Sequence, residues 1–175
     1  MNTRLFLAAA TLALVAGAAA QGATRNPIAS ATSAAPAAIG AHASVMTMDG
    51  KVLRKGTNGW TCMPDDPGTP GNDPMCLDRA GMAWLKAWMA KKTPPATPGF
   101  AYMLQGGSDA SNLDPFLEKP AAGQAWVATG PHIMILSASA AAASGYPSGE
   151  AKPDTRRPYI MYGGTPYAHI MFPTR

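Results

Sequence analysis

Three observations in this 175-residue sequence predict an α+β fold: a compact, mainly antiparallel β-sheet of hairpins with one substantial amphipathic helix packed on it. Short β-rich runs turn at Asp49-Gly50, Gly130-Pro131 and Gly163-Gly164. The stretch from Pro74 to about Lys92 places its apolar residues at helical rather than alternating spacing. The only two cysteines, Cys62 and Cys76, bracket a turn-rich acidic loop directly before that helix.

Reading from the N-terminus, Arg4 precedes an apolar run, Leu5 to Val15, that is too short to span a bilayer comfortably. With Ala18-Ala19-Ala20 matching the small-x-small rule, residues 1–20 read as a signal peptide cleaved after Ala20, and the mature protein as periplasmic or secreted. No later segment is apolar enough to cross a membrane. Residues 21–43 are Ala, Ser, Thr and Pro with almost no large side chains, a composition expected to stay flexible because it buries too little to offset the entropy of ordering. A single domain is expected over 44–175.

Val45 to Leu53 alternates about Asp49-Gly50 as a tight hairpin. Two cysteines in an exported chain most simply form one bridge, and closing a loop of about 15 residues contributes on the order of 3 kcal/mol. Their spacing is far from the C-x-x-C of redox pairs, so Cys62–Cys76 reads as a structural staple. Asp65, Asp66, Asp73 and Asp78 raise the question of calcium, but their spacing is not that of an EF-hand. Asp73 before Pro74 reads instead as an N-cap with proline at the first helical position.

In the helix that follows, Leu77, Gly81, Trp84, Leu85 and Trp88 form a core-facing stripe widened by Met75, Met82 and Met89, and Thr93-Pro94-Pro95 ends it. Phe100 to Leu104 reads as a strand, and Asp114-Pro115 as a second, short helix start. Two more hairpins are expected. Ala125–Thr129 would turn into His132–Leu136, and Tyr159–Tyr162 into Tyr167–Phe172, with 137–158 as a surface connection.

Both late hairpins carry the same tripeptide, His132-Ile133-Met134 and His169-Ile170-Met171. Residues two apart on a strand share a face, so each segment presents imidazole and thioether together. That donor set suits copper(I), with His132, Met134, His169 and Met171 as ligands and Met103, Met161 or Met63 as a further one. The competing interpretation is that methionine fills cores and strand histidines are hydrogen-bonded for structure. For an enzyme, a serine hydrolase arrangement would use Ser108 or Ser111 as nucleophile, His132 or His169 as base and Asp109 or Asp114 as orienter. The polar, glycine-rich run Gln105–Asn112 is where such a loop would sit, but it is not G-x-S-x-G and serves equally as a turn.

Phosphate-loop, dinucleotide-binding and zinc signatures are absent from the sequence. Without the leader, thirteen basic residues face ten acidic ones, scattered as pairs such as Arg54-Lys55 and Arg156-Arg157, which argues against a nucleic-acid partner.

The segments Asn58–Pro67, Gly71–Asp78, Tyr102–Asn112, Thr129–Met134 and Gly164–Met171 resemble a group of exported bacterial proteins of unknown function. The resemblance covers most of the mature domain. It implies a bacterial envelope or secreted setting and brings no catalytic residue with it. The function expected from the sequence is therefore an exported domain binding a small ligand or an envelope protein, through Gln105–Asn112 and the two histidines. Copper(I) binding and hydrolase-like chemistry are the alternatives.

Overall fold

The computed structural model describes residues 26–175, so the expected leader and residues 21–25 lie outside the described residues. Two short helices come first, α1 (Pro27–Thr32) and α2 (Ala37–Gly40), then four strands: β1 (Ser44–Met46), β2 (Val52–Arg54), β3 (Thr61–Met63) and β4 (Met75–Leu77). The main helix α3 (Arg79–Met89) leads to β5 (Gly99–Met103), β6 (Gly107–Asp109), β7 (Val127–Thr129) and β8 (His132–Leu136). Helix α4 (Ala138–Ser144), β9 (Tyr159–Met161) and β10 (His169–Pro173) complete the chain. Eight strands form one sheet in the order β2-β1-β3-β4-β5-β8-β10-β9, and β6 and β7 form a separate two-stranded sheet. Every neighbouring pair is antiparallel except β1 and β3. The α+β fold read from the sequence is the fold observed.

Alternation along the strands gives the large sheet two different faces. The front carries Met63, Leu77, Met103, Met134, Leu136, Met161 and Met171 and is covered by Trp84 and Leu85 of α3. The back carries Val45, Cys62 and Cys76 beneath α1, and Ile160 and Ile170 beneath Ala141 of α4. Helix α3 lies close on the sheet because Gly81 meets Gly99. A Cβ on Gly99 would come within 2.4 Å of the Gly81 nitrogen.

Several local expectations are corrected. The helix begins at Arg79, not Pro74, and its cap is Asp78, whose Oδ1 accepts from Gly81 N at 2.7 Å and Phe100 N at 3.1 Å. Residues 75–77 are instead the strand β4, because Cys76 stands opposite Cys62 in the β3–β4 ladder and the disulfide joins them there. Asp73 works within its loop, accepting from Thr69 Oγ1 at 2.6 Å. The helix ends three residues earlier than expected in a left-handed cap. Lys91 has φ 53°, and Lys92 N reaches Ala87 O at 2.8 Å.

Residues 26–43 are ordered rather than flexible. Asn26 caps α1, with Pro27 opening it, and Ala31, Ala34 and Ala43 are fully buried. Alanine loses no rotamer freedom on burial, so a segment without large side chains can still dock where its backbone approaches closely. The run Val127–Thr129 pairs with β6, not with His132–Leu136, which inserts between β5 and β10. Gly130-Pro131 is thus a corner between two sheets rather than a hairpin turn, and Pro131, lacking an N–H, ends the smaller ladder. Asp114-Pro115 starts no helix: Asp114 Oδ1 accepts from Phe116 N at 2.9 Å in a local turn. The 137–158 connection contains α4, capped by Ser137 and ended by Gly145 at φ 71°. The hairpins β1–β2 and β9–β10 form as expected.

Candidate functional site

The front face is organised in rows running across the strands. In the first, Met63 stands opposite Met75, and Met103 opposite His132. Continuing the β4–β5 register sets Met75 beside Met103, so three thioethers lead to one imidazole. The next row holds Leu77, Ala101, Met134, Met171 and Tyr159. The third holds Gly99 opposite Leu136 and His169 opposite Met161, and the β8–β10 register continues to place Leu136 beside His169.

Above these rows lies a cavity of about 210 Å³. Its walls are the sheet, Trp84, Leu85 and Trp88 of α3, Ser108 and Asp109 of β6, and Asp66, Thr69 and Asp73 of the loop stapled by the disulfide. Seven of the chain's eleven methionines line it, a concentration that separates this cavity from the alanine- and isoleucine-rich packing on the back. The small sheet is tied over it by Thr129 Oγ1 to Tyr159 Oη at 2.7 Å, and Asp109 and Tyr162 both line the cavity. Helix α3 is tied to the connection between β6 and β7 by Trp88 Nε1, donating to Pro115 O at 2.9 Å.

Both histidines are buried in the wall, His132 1% and His169 4% exposed. Their Nδ1 atoms face carbonyls, Gly130 O at 2.7 Å and Tyr167 O at 3.0 Å. A carbonyl only accepts, so Nδ1 holds the proton in each ring and Nε2 keeps its lone pair. His132 Nε2 is buried with no hydrogen-bond partner among the described residues. Burial pushes the His132 pKa below the ordinary imidazole value, and pushes that of His169 down to about 4 with a smaller push from His132. Both rings are therefore neutral at neutral pH, the form that binds metals. A Cβ on Gly107 would lie 3.2 Å from His132 Cε1 and 3.7 Å from Met103 Sδ, so imidazole and thioether converge on one point under the small sheet. His169 packs edge-on against Trp84 and Tyr162, each with ring centres at 5.4 Å.

The sequence-derived ligand set is brought into one cavity wall, but not around one point. Met134 and Met171 face each other at the centre, while His132 and His169 stand two rows apart. Four residues of strand separate them, about 13 Å at the backbone. Of the further candidates, Met103 stands opposite His132 and Met161 opposite His169.

Hydrolase geometry does not assemble. Ser108 lines the cavity, but no hydrogen bond joins its hydroxyl to either imidazole among the described residues. Ser111 Oγ accepts from Leu113 N and Asp114 N at 3.0 Å each, so this pair works as a turn. Burial, with the Asp73 charge nearby, raises the Asp109 pKa to about 7, so this carboxyl is half protonated near neutral pH rather than a standing anion. Among the four loop aspartates, Asp78 caps α3, Asp65 Oδ1 accepts from Asp73 N and Asp66 Oδ1 from Gly68 N, both at 2.8 Å. No group of three or more His, Cys, Asp or Glu is placed to hold an ion among the described residues.

Sequence reasoning misses Met75, which helical spacing places on α3, and Met48, which also lines the cavity. It also misses Trp84 Nε1, a buried donor without an acceptor among the described residues. Alternation across the cysteines, Met63 one residue after Cys62 and Met75 one before Cys76, is the available signal for the first. No family model, curated protein or solved structure matches this chain.

Proposed function

We propose that this domain is an exported copper(I)-binding protein whose metal sits in the methionine-lined cavity, bound by His132 Nε2 together with Met103 and neighbouring thioethers. The observation that carries the reading is the unpartnered, buried Nε2 of His132 facing a row of methionine sulfurs. Leaving such a nitrogen buried without a partner costs about 1–3 kcal/mol, a cost a ligand would remove. Thioether and imidazole together select a soft ion, and the absence of a carboxylate or thiolate cluster among the described residues disfavours calcium and zinc.

Anaerobic competition against a chromophoric copper(I) chelator tests this. The wild type is expected to bind tighter than micromolar. Met103→Leu, a volume-conserving change, is expected to weaken binding at least about tenfold while changing stability by less than about 1.5 kcal/mol. Binding no tighter than micromolar, or a variant indistinguishable from wild type, would sink the idea.

A small organic ligand is the second reading, favoured by one observation. The Trp84 indole donor and the His132 acceptor are both unpartnered at the same cavity, and an indole N–H cannot ligate metal. A copper-null result accompanied by ligand-induced quenching of tryptophan fluorescence would favour it.

A further inference from the structure

We propose that the cavity holds two copper(I) ions in separate sites, the second bound by His169, Met161 and Met171. The inference rests on the copper(I) reading of the cavity and adds a site to it.

It follows from the repeat of one arrangement at both ends of the front face. His132 stands directly opposite Met103 on the neighbouring strand, and His169 directly opposite Met161. Each His-Ile-Met segment then places a methionine two residues further along the same face, Met134 after His132 and Met171 after His169. Because β8 and β10 run antiparallel with Met134 opposite Met171, the two segments are related by an approximate two-fold through that methionine pair. Directly opposed side chains on a sheet are about 5 Å apart and diagonal ones about 7–8 Å, within reach of flexible thioethers. Each imidazole therefore has its own opposed methionine and a share in the central pair.

The same register argues against one shared ion. The two histidines are separated by about 13 Å of strand, so an ion shared between them would need both rings swung toward the middle of the sheet. A single ion at the centre would leave at least one ring reaching away from its Nδ1 anchor, Gly130 O for His132 or Tyr167 O for His169. Two ions leave both anchors intact. His169 makes its only hydrogen bond among the described residues through Nδ1, so its Nε2 is free to ligate, and the Trp84 ring packs beside it with ring centres 5.4 Å apart.

Both ions being cations, the second equivalent is expected to bind about tenfold more weakly than the first. The test is stoichiometry by anaerobic copper(I) titration of the disulfide-intact protein, with bound metal counted by native mass spectrometry. Two equivalents are expected for the wild type. Met161→Leu should leave one tight equivalent and weaken the other at least about tenfold, and Met103→Leu should do the reverse. These substitutions preserve side-chain volume, so circular dichroism should remain native; His169→Ala is a harsher companion because it also removes contacts to Trp84 and Tyr162. One equivalent in the folded wild type overturns the two-site inference while leaving the copper reading in place. No binding overturns both. Loss of both equivalents together in Met161→Leu would show one joint cluster and equally overturn the inference.

Discussion

The two faces of the large sheet are made of different materials. On the back, Ala31 of α1 with Ala34, Ala35 and Ala43 packs with the Cys62–Cys76 disulfide and Val45, and isoleucines of β9 and β10 pack beneath α4: small or branched side chains with few rotamers. On the front, flexible methionines and two neutral imidazoles surround an open chamber. A protein marginally stable overall has limited room for a cavity and unpartnered polar atoms. Here the two demands are divided between faces of one sheet, so that rigidity on one side supports a cavity on the other. The connection is direct, because the strands stapled on the back, β3 and β4, extend Met63 and Met75 to the front and carry the loop that forms the chamber's rim.

The largest test of that division is to remove the staple. Cys62→Ala with Cys76→Ala is expected to cost about 3 kcal/mol, lowering Tm by roughly 6–12 °C, while copper(I) affinity at 25 °C stays within a few-fold of wild type. Calorimetry and the chelator competition read the two quantities separately. A parallel collapse of affinity would show that the faces are not independent.

The next test uses pH, because the front face holds titratable groups whose folded values differ from ordinary ones. Asp109 titrates at about 7 when folded, against an ordinary carboxyl near 4. It holds more proton folded than unfolded, so its contribution to stability falls as pH rises from about 4 to about 7. His169, at about 4 when folded, holds less proton than an ordinary imidazole near 6.5. Its contribution is full above about pH 6.5 and is lost as pH falls toward 4. Between those limits the two slopes oppose each other, and His132, lowered in the same direction as His169, tips the balance toward higher stability at higher pH. Asp109→Asn should therefore steepen the rise of stability between pH 5 and 6.5 and stabilise the fold at pH 8. Urea unfolding at those three pH values measures it. A profile that the substitution leaves unchanged would mean that the carboxyl is solvated.

The smallest expected effect lies at the end of α3, the front-face cover. Lys91 occupies a left-handed conformation that glycine adopts without penalty, so Lys91→Gly should stabilise by about 0.5–1 kcal/mol. Loss of its cation–π contact with Phe116, at 5.1 Å, will reduce the gain. Chemical denaturation of the pair of proteins checks the sign. A destabilised variant would mean that the lysine–ring attraction outweighs the relief of backbone strain.

What was legible in the sequence was local, and what was missed depended on partners distant along the chain. The β1–β2 and β9–β10 hairpins followed from alternation about a short turn. The front-facing His and Met of both His-Ile-Met segments followed from strand period alone. Misassignment of β7 and β8 as one hairpin had the same basis, because Gly130-Pro131 serves a hairpin and a sheet-to-sheet corner equally well. Only the availability of β5 and β10 as partners for β8 distinguishes them. Reading Asp73 as the helix cap, where the structure has Asp78, has a similar origin. Both are aspartates beside the helical stretch, and the extended ladder that the cysteines form across β3 and β4 decides between them. Burial of 26–43 could not be inferred from composition, since alanine docks by closeness of backbone rather than by size.

The corner at Gly130-Pro131 has a dynamic consequence. It leaves β6 and β7 as a pair of three-residue strands outside the large ladder, held by side-chain contacts such as Thr129 to Tyr159. A two-stranded hairpin is marginal by itself, so this part of the molecule opens at a lower free energy than the β5-β8-β10 centre. Opening it would break no hydrogen bond between strands of the large sheet. The chamber can therefore exchange its contents with solvent through a local fluctuation, on a timescale set by a few side-chain contacts rather than by unfolding of the domain.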